Sequence, residues 1–400
     1  MSAVSSTLDG AGLLAAYRPG SSSVFASPRG TLLAEGVRAT ATTVADAEAL
    51  LRGGAPVVLG AVPFAPTSPA GPDSPDSPAR SAHPDGWAHP DRPAHPARLL
   101  VPENLRRAEA VVTRAATPAA RPAVPSIPDD AYLAAVARAV ADIKAGAYTK
   151  VVLARCLRIA APGFDPAPVV RALAAAGSYT FGVDLGAGRT LLGASPELLV
   201  SRFGRTVSAH PLAGSIPRSP DPAEDARRAA ALLASAKDLH EHAFASEAVA
   251  EGLRPFCRDL RVPREPALTA TPTMWHLGSR ITGEIADPGV SALALAAALH
   301  PTPAVCGTPS AAARQAIAEL ETFDRGFFAG MVGWTSADGD GEWAVTIRCA
   351  TAGPDGLDVY AGAGIVAGSD PQAELAETNA KLGTMLSALG VTSVGVTDVA

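Results

Sequence analysis

Between residues 149 and 212 the chain runs through one short apolar segment after another, separated by breaks that contain glycine or proline. The segments have the length and composition of single β-strands. Strands that follow one another this closely favour antiparallel pairing. This pattern constrains the fold more than any other part of the sequence. The strand-like segments are TKVVLARCLRI, YTFGVDL, TLLGAS, ELLVSR and TVSAHPL.

Helical patterns interrupt the strands at only a few places. In residues 129–146, apolar side chains at Leu133, Val136, Val140 and Ile143 recur at helical spacing. Runs of strands with few helices indicate an α+β fold rather than a regular βαβ wind. Further helices are predicted near residues 222–254, 310–321 and 371–389, and further strands at 327–334, 341–350 and 357–366.

A run rich in Pro, Ser, Asp and His occupies residues 63–98. A segment of this composition cannot bury enough apolar surface to fold by itself, so we expect a flexible insertion there. Metal binding by its histidines is the alternative, but irregular His-Pro pairs favour a solvated segment. We predict that residues 1–128 form the N-terminal part of the same α+β domain as residues 129–400.

Composition and charge exclude several classes of protein. The formal net charge is −6, and no block of Lys and Arg suggests a face that binds nucleic acid. The longest apolar stretches are too short to cross a membrane, and the N-terminus lacks the pattern of a signal peptide. We therefore expect a cytoplasmic protein with no membrane partner. The cysteines form no CxxC pair and are expected to be reduced structural thiols: Cys156, Cys257, Cys306 and Cys349.

The stretch KDLHEHAFASE, residues 237–247, places two histidines and two carboxylates close together. Each residue of a helix turns by about 100°, so His240 and His242 lie on nearly opposite sides and cannot share an ion. Zinc-binding helices place their histidines four residues apart instead. Asp238 and Glu241, three residues apart, share one helical face. This pair of carboxylates favours a hard cation over a transition metal.

The predicted C-terminal helix repeats this arrangement. Glu374 and Glu377 are three residues apart, and Lys381 follows Glu377 by one turn. If the two helices face each other, four carboxylates surround one point, and such an oxygen-rich site suits Mg²⁺ with waters left for a ligand. The spacing leaves an alternative open, because charged pairs three residues apart are also common on solvated helix faces.

Other charged residues lie in apolar strand-like segments. Lys150 shares its strand face with apolar residues. Loss of hydration there favours the neutral amine and therefore a general base. The alternative is a side chain that reaches water at the strand end. Glu197 begins ELLVSR and is either a buried general acid or a surface turn residue. Arg348, in the predicted strand GEWAVTIRCA, must pair with a carboxylate of the protein or of a ligand. Gly214 and Ser215, in PLAGSIPR, allow a ligand close to the backbone.

Taken together, these segments resemble the chorismate-binding enzyme family, and within it most closely the isochorismate synthases. The resemblance covers residues 148–389 in the family's order, so it is more specific than a single motif. The first 145 residues resemble the family only loosely. The stretches that carry it are YTKVVLARCLRI, LLGASPELLVSR, HPLAGSIPR, KDLHEHAFASEAV, TPTMWHLGSRITGEI, LHPTPAVCGTP, IAELETFDRGFFAGMVGW, GEWAVTIRCA and YAGAGIVAGSDPQAELAETNAKLGTML.

The resemblance implies a single α+β domain in which large antiparallel sheets form a sandwich with helices packed outside. It implies that Lys150 is the general base that activates water to attack the ring carbon next to the enolpyruvyl-bearing one. Glu197 matches the general acid that protonates the departing hydroxyl. A lysine at the base position argues against the amine-adding relatives, so we expect no glutaminase subunit, and we expect a monomer.

The resemblance also implies the remaining site residues. Glu241 and Glu377 match the ligands of an Mg²⁺ cofactor, while Asp238 and Glu374 occupy neighbouring acidic positions and act through water. The family often has Glu where this chain has Asp238. The residues that match the substrate-binding pocket are Gly214, Ser215, His276, Ala304, Arg348, Gly362, Gly364 and Lys381.

The implied function is an isomerase that converts chorismate to isochorismate for siderophore, salicylate or menaquinone biosynthesis. Its nearest rival is salicylate synthase, a lyase of the same family that also eliminates pyruvate. A zinc-dependent hydrolase that uses His240, His242 and His276 is a second alternative. A chorismate-binding protein without catalysis is the third. The sequence does not separate the downstream pathways.

Overall fold

The computed structural model describes residues 9–65, 95–111, 129–174 and 178–390. The helices among these residues are interspersed between groups of strands. In chain order they are α1 (Gly10–Ala16), α2 (Val44–Arg52), α3 (Asp130–Lys144), α4 (Ala167–Leu173), α5 (Pro222–Ala234), α6 (Ala236–Leu253), α7 (Ala292–Leu299), α8 (Ser310–Leu320) and α9 (Pro371–Ala388).

Strands account for most of the remaining regular structure. In chain order they are β1 (Ser22–Ser27), β2 (Gly30–Glu35), β3 (Ala39–Ala41), β4 (Val57–Val62), β5 (Arg98–Val101), β6 (Asn104–Ala108), β7 (Lys150–Ala160), β8 (Tyr179–Gly186), β9 (Arg189–Ser195), β10 (Leu198–Phe203), β11 (Thr206–His210), β12 (Leu212–Pro217), β13 (Cys257–Arg261), β14 (Ala267–Ala270), β15 (Met274–Gly278), β16 (Ile281–Ile285), β17 (Gly307–Thr308), β18 (Met331–Ser336), β19 (Gly341–Val345), β20 (Cys349–Gly353) and β21 (Gly356–Ile365).

These strands form two nine-stranded sheets and one three-stranded sheet. The first sheet has the order β17-β7-β21-β20-β9-β8-β1-β2-β6, and the second has the order β13-β16-β11-β10-β19-β18-β4-β5-β3. The small third sheet has the order β12-β15-β14. Pairing is antiparallel throughout these sheets. The predicted α+β class, with large antiparallel sheets and helices, is confirmed.

Apolar side chains from both large sheets pack into one shared core. Phe181 of the first sheet and Trp343 of the second are both buried in it, together with residues of α3, α7 and α8. Because alternate residues of a strand point to opposite faces, each sheet directs one set of side chains into this core. The helices pack on parts of the sheets, as α9 does on β21 and α6 does on β12.

The N-terminal residues contribute strands to both large sheets. Strands β1, β2 and β6 belong to the first sheet, and β3, β4 and β5 belong to the second. Of the predicted insertion at residues 63–98, residues 66–94 lie outside the described residues. Among the residues that the structure describes, no helix has both the length and the apolar character needed to cross a membrane.

Three predicted elements differ from the structure. The strand predicted over residues 327–334 begins only at Met331, because residues 327–330 form a turn before β18. The helix predicted over residues 222–254 is two helices, because the chain turns at Ser235, whose hydroxyl accepts a hydrogen bond from the Asp238 amide and caps α6. The single strand predicted over residues 341–350 is wrong. Strand β19 ends before a bend at Arg348, and β20 continues in the other large sheet. The chain therefore crosses between the sheets at this bend.

We expect Phe181→Ala to lower the free energy of unfolding by about 3–5 kcal/mol, because it removes a fully buried ring from the shared core. Urea unfolding at an unchanged m-value measures this loss. The matched control is Val37→Ala at a position that is 42% exposed, for which we expect a change within about 0.5 kcal/mol. A loss below about 1 kcal/mol for Phe181→Ala would contradict this account of the core.

Candidate active site

A cavity opens between the first and third sheets, beside helices α6 and α9. Strands β7 and β21 contribute Val152, Gly362 and Gly364 to its wall, and β12 and β15 contribute Ser215 and His276. The remaining lining residues come from strands β12 and β21, the crossovers between sheets, the loop before β17, the turn before β18 and the two helices: Pro196, Glu197, Leu212, Ala213, Gly214, Glu241, Ala304, Val305, Phe328, Ala329, Ile347, Arg348, Ala361, Glu377 and Lys381.

The cavity wall contains most of the site residues that the sequence predicts. Only Lys150, Asp238 and Glu374 of that set are not part of the lining. Lys150 lies behind the wall and contacts it through Glu241, a lining residue. The distance from Lys150 Nζ to Glu241 Oε1 is 3.1 Å. Apolar lining residues such as Phe328 are not predicted from the sequence. An apolar residue next to a strand has the same sequence pattern whether it lines a cavity or packs in the core.

Lys150 is fully buried at the start of β7, with 0% of its surface exposed. The alternative of a lysine that reaches water at the strand end is therefore wrong. Burial of an ammonium group is costly unless an opposite charge is close, and Glu241 on α6 supplies that charge. At Gly364 an added Cβ would lie 2.2 Å from Glu241 Oε1 and 3.0 Å from Lys150 Cε. Glycine at this position gives the pair its space.

Glu197 lies at the crossover from β9 in the first sheet to β10 in the second. Only 2% of its surface is exposed, so the alternative of a surface turn residue is wrong. Burial raises the pKa of Glu197 to about 7, although a hydrogen bond from the Leu212 amide and the charges of Lys150 and Arg348 act against the rise. Near neutral pH a large fraction of this carboxyl is protonated and can donate a proton.

Arg348 occupies the second crossover, from β19 to β20, with a φ of +51°. The prediction that Arg348 lies inside a strand is wrong, because the chain leaves the second sheet and enters the first at this residue. Burial lowers the pKa of Arg348 to about 10, and the charges of Glu377 and Glu197 act against this, so the guanidinium is charged at neutral pH. Within the part of the chain that the structure describes, Arg348 makes no ion pair. Its charge is available to a ligand carboxylate.

Helix α9 brings a second cation to the cavity. Nζ of Lys381 lies 2.6 Å from Glu377 Oε1 and donates to the Gly362 carbonyl at 2.9 Å. Ser215 donates to the same Glu377 oxygen at 3.0 Å. Burial acts to raise the pKa of Glu377, but Lys381 and Ser215 outweigh it and leave the pKa below its ordinary value. Glu377 is therefore an ionised carboxylate at neutral pH.

The two outer acids are each bound to a neighbour. Glu374 accepts from Lys237 Nζ at 2.8 Å, and its second oxygen is buried without a hydrogen bond. Asp238 accepts a short hydrogen bond from the Ser235 hydroxyl. Burial raises the pKa of both carboxyls, and nearby carboxylates add to the rise. No local pattern in the sequence marks Lys237 as the partner of Glu374.

The four predicted metal-site carboxylates do not meet at one point in this structure. Among residues 9–65, 95–111, 129–174 and 178–390, no group of three or more His, Cys, Asp or Glu side chains is spaced to hold a metal ion. Three of the acids each form an ion pair with a different lysine. The donor set nevertheless fits a hard cation, because it consists of carboxylate oxygens and includes the unbonded Glu374 oxygen.

The histidines occupy separate environments. The His240 ring lies edge-on to Phe244, and His242 is buried with its Nε2 2.8 Å from the Ser279 hydroxyl. His276 lines the cavity, where burial and then the charges of Arg348 and Lys381 hold its pKa well below the ordinary value. The three histidines form no zinc-binding group in the described part of the chain, so this geometry does not support the zinc hydrolase alternative.

The part of the chain that forms this cavity matches a known protein family. Residues 99–390 match the model of the family described as chorismate binding enzyme. The chain belongs to the chorismate-binding enzyme family. The matched range contains the cavity lining and helices α6 and α9. The family membership that the sequence motifs predict is therefore confirmed.

Individual relatives of this chorismate-binding enzyme are similar over much of its length. Isochorismate synthase DhbC of Bacillus subtilis is 58% identical over 273 residues, which are 66% of this chain and 68% of that protein. MenF of Mycobacterium tuberculosis is 42% identical over 380 residues, 91% of this chain and 95% of that protein. The crystal structure of DhbC from Bacillus anthracis matches with a TM-score of 0.83 at 42% identity, covering 95% of this chain and 99% of that chain.

We expect Glu197→Gln to change how the stability of this chorismate-binding enzyme depends on pH. The raised pKa of Glu197 means that the folded state binds a proton more tightly than the unfolded state. Wild-type stability therefore falls as the pH rises from about 5 to about 8, by roughly 2–3 kcal/mol from this group, and the glutamine variant lacks that fall. Urea unfolding at both pH values measures the difference.

The matched control for this pH experiment is Glu265→Gln, which removes an exposed carboxyl that does not line the cavity. We expect its stability to follow the wild-type dependence on pH. If Glu197→Gln does the same, the carboxyl of Glu197 titrates at an ordinary pH and cannot be a proton donor near neutrality.

Proposed function

We propose that this protein is an enzyme that converts chorismate to isochorismate with Mg²⁺ as cofactor. The observation that carries the proposal is a buried lysine, Lys150, and a buried carboxyl with a pKa near 7, Glu197, at one cavity that also contains two cations. Support also comes from the relatives, since DhbC of Bacillus subtilis is named an isochorismate synthase.

The proposed reaction needs a base and an acid. Lys150, as the neutral amine, takes a proton from a water molecule, and the resulting hydroxide attacks the ring carbon next to the one that bears the enolpyruvyl group. The ring double bonds shift, and the original hydroxyl leaves as water after it receives the proton of Glu197. The raised pKa of Glu197 supports this role, because general acids act best when their pKa is near the working pH.

Chorismate carries two carboxylates, and the cavity offers positive charge to hold them. We assign one carboxylate to Arg348 and Lys381, since both line the cavity and Arg348 has no ion-pair partner among the described residues. Ser215 and His276 contribute polar groups to the same wall, and Gly214 and Gly362 keep it free of side chains. These contacts orient the ring between the base and the acid.

Mg²⁺ would be held by Glu241 and Glu377, with Asp238 and Glu374 acting through water. When bound, the ion neutralises a substrate carboxylate that the acidic residues would otherwise repel. Lys150, Lys237 and Lys381 now contact three of these acids, so each lysine is placed to give up its carboxylate when a stronger cation binds.

We further propose that the enzyme acts in the cytoplasm as a monomer without a glutaminase subunit. The reaction adds water rather than ammonia, so no ammonia source is needed. The cysteines are free thiols, which fits a reducing compartment. The isochorismate it forms would supply the synthesis of a dihydroxybenzoate siderophore, salicylate or menaquinone.

We expect purified protein that is given chorismate and Mg²⁺ to form isochorismate without stoichiometric pyruvate. EDTA should stop the reaction, and added Mg²⁺ should restore it, because the carboxylate donors suit a hard cation. Chromatography of the products and a coupled pyruvate assay measure the outcome. Salicylate with equimolar pyruvate would instead identify a salicylate synthase. Activity that survives EDTA and needs zinc would overturn the magnesium assignment.

We expect Lys150→Ala to abolish turnover, by about 10²-fold or more, because it removes the general base. The control is Lys144→Ala, which removes an exposed lysine at the end of α3 and should leave kcat unchanged. Circular dichroism and thermal unfolding show whether the variants are folded. A folded Lys150→Ala protein with wild-type kcat would refute the role of Lys150.

A further inference from the structure

A buried ion pair lies directly behind the cavity wall. The side chains of Glu321 and Arg325 are only 2% and 3% exposed. Arg325 Nε donates to Glu321 Oε2 at 2.9 Å, and Nη2 donates to Oε1 at 2.5 Å. This is the two-pronged geometry that only a guanidinium can offer to a carboxylate. Neither residue lines the cavity, and the proposed reaction does not use them.

The pair also binds three backbone groups. Arg325 Nη2 donates to the Val152 carbonyl at 2.7 Å, and Nη1 donates to the Val305 carbonyl at 2.8 Å. Glu321 Oε1 accepts from the Ala154 amide at 2.8 Å. Val152 and Val305 both line the cavity. The ion pair therefore joins strand β7 to the neighbouring loop before β17, and both segments form part of the wall.

Strand β7 needs these contacts because one of its edges is paired only briefly. Along one side β21 pairs with it from Val151 to Ala160. On the other side β17 is only two residues long and pairs with Lys150 and Val151. Beyond them, the Val152 amide donates to the Cys306 carbonyl, and the side chains of the ion pair take the place of a neighbouring strand.

Aromatic rings hold the guanidinium in place from other directions. The Cζ atom of Arg325 lies 4.6 Å from the centre of the Phe64 ring and 5.7 Å from that of Phe328. Phe328 lines the cavity and stacks on Tyr360 of β21 at a centroid distance of 5.2 Å. The arginine thus connects two strands and one loop of the wall.

We propose that Glu321 and Arg325 are positioning residues for the proposed isomerisation, acting through the backbone of β7 and of the 304–305 loop. Lys150 is two residues before Val152 on the strand they hold, and Ala304 is next to Val305 on the loop. Displacement of a catalytic group by about 1 Å can cost about 10²-fold in rate. A buried ion pair is weak evidence for added stability, whereas its geometry fixes the position of both segments.

The first test is a pair of conservative variants, Arg325→Lys and Glu321→Gln, assayed for isochorismate formation. We expect kcat to fall by roughly 10-fold or more with a smaller change in KM, because the base is displaced more than the binding charges are. Lysine keeps the charge but cannot bind two carbonyls and a carboxylate in one plane. Wild-type kcat in a folded Arg325→Lys protein would overturn the proposal.

The matched control is Arg98→Lys. Arg98 also donates both to a backbone carbonyl and to a carboxylate, those of Asp184, but away from the cavity. We expect its kcat to match that of the wild type. An equal loss in this variant would show that the effect belongs to any arginine of this kind, and not to the pair behind the cavity.

A double variant, Glu321→Leu with Arg325→Met, separates positioning from stability. It removes both charges of the pair together, and apolar replacements of buried ion pairs are often as stable as the original. If the pair only stabilises the fold, a folded double variant regains wild-type kcat, and the proposal fails. If the pair positions β7, kcat stays low in the folded protein.

Because the kinetic tests depend on the proposed function, hydrogen exchange provides an independent measurement. We expect the amides of residues 151–154, and those of residues 305–306 in the loop that Arg325 also holds, to exchange faster in Arg325→Lys than in the wild type or in Arg98→Lys, with the rest of the chain unchanged. Unchanged protection there, or faster exchange everywhere, contradicts a positioning role. Wild-type protein that makes no isochorismate would overturn the proposed function alone, since the exchange result stands without it.

Discussion

The site depends on the burial of one charge. Lys150 has no exposed surface, and an ammonium group in such a place is tolerable only beside an opposite charge. Glu241 supplies it from helix α6, which must therefore approach strand β7 closely. Gly364 on the neighbouring strand leaves space for this contact, since a Cβ there would collide with the carboxylate. The close packing of β7, α6 and Gly364 therefore follows from the need to pair the buried charge of Lys150.

The sandwich brings the other reactive groups to the same place through its crossovers. Glu197 lies where the chain passes from β9 to β10, and Arg348 lies where it passes from β19 to β20, each step leading from one large sheet to the other. Side chains at such positions reach the space between sheets without interrupting a ladder of hydrogen bonds. Burial there raises the pKa of Glu197, and this shift supports its proposed role as a general acid near neutral pH.

Charge is balanced around the cavity. Three of the acids that we assign to the cation site each contact one lysine, while Arg348 has no ion-pair partner within the described residues. A dianionic substrate together with a divalent cation suits such a site, because the cation takes the acids and the arginine takes a carboxylate. Behind the wall, Glu321 and Arg325 hold the backbone on which this balance is arranged.

The sequence by itself determined the fold class, and the family resemblance of its motifs named most of the residues that line the cavity. The close spacing of the strands predicted antiparallel pairing, and helical periodicity placed Asp238 and Glu241 on one face of α6, because those patterns are local. It did not separate a strand from a crossover at Arg348, nor the buried Lys150 from one that reaches water, since both depend on contacts between distant segments. Only the tertiary structure decided these, and only it revealed Lys237 beside Glu374 and Arg325 beside Val152. Burial and charge pairing are properties of packed elements, and no local pattern encodes them.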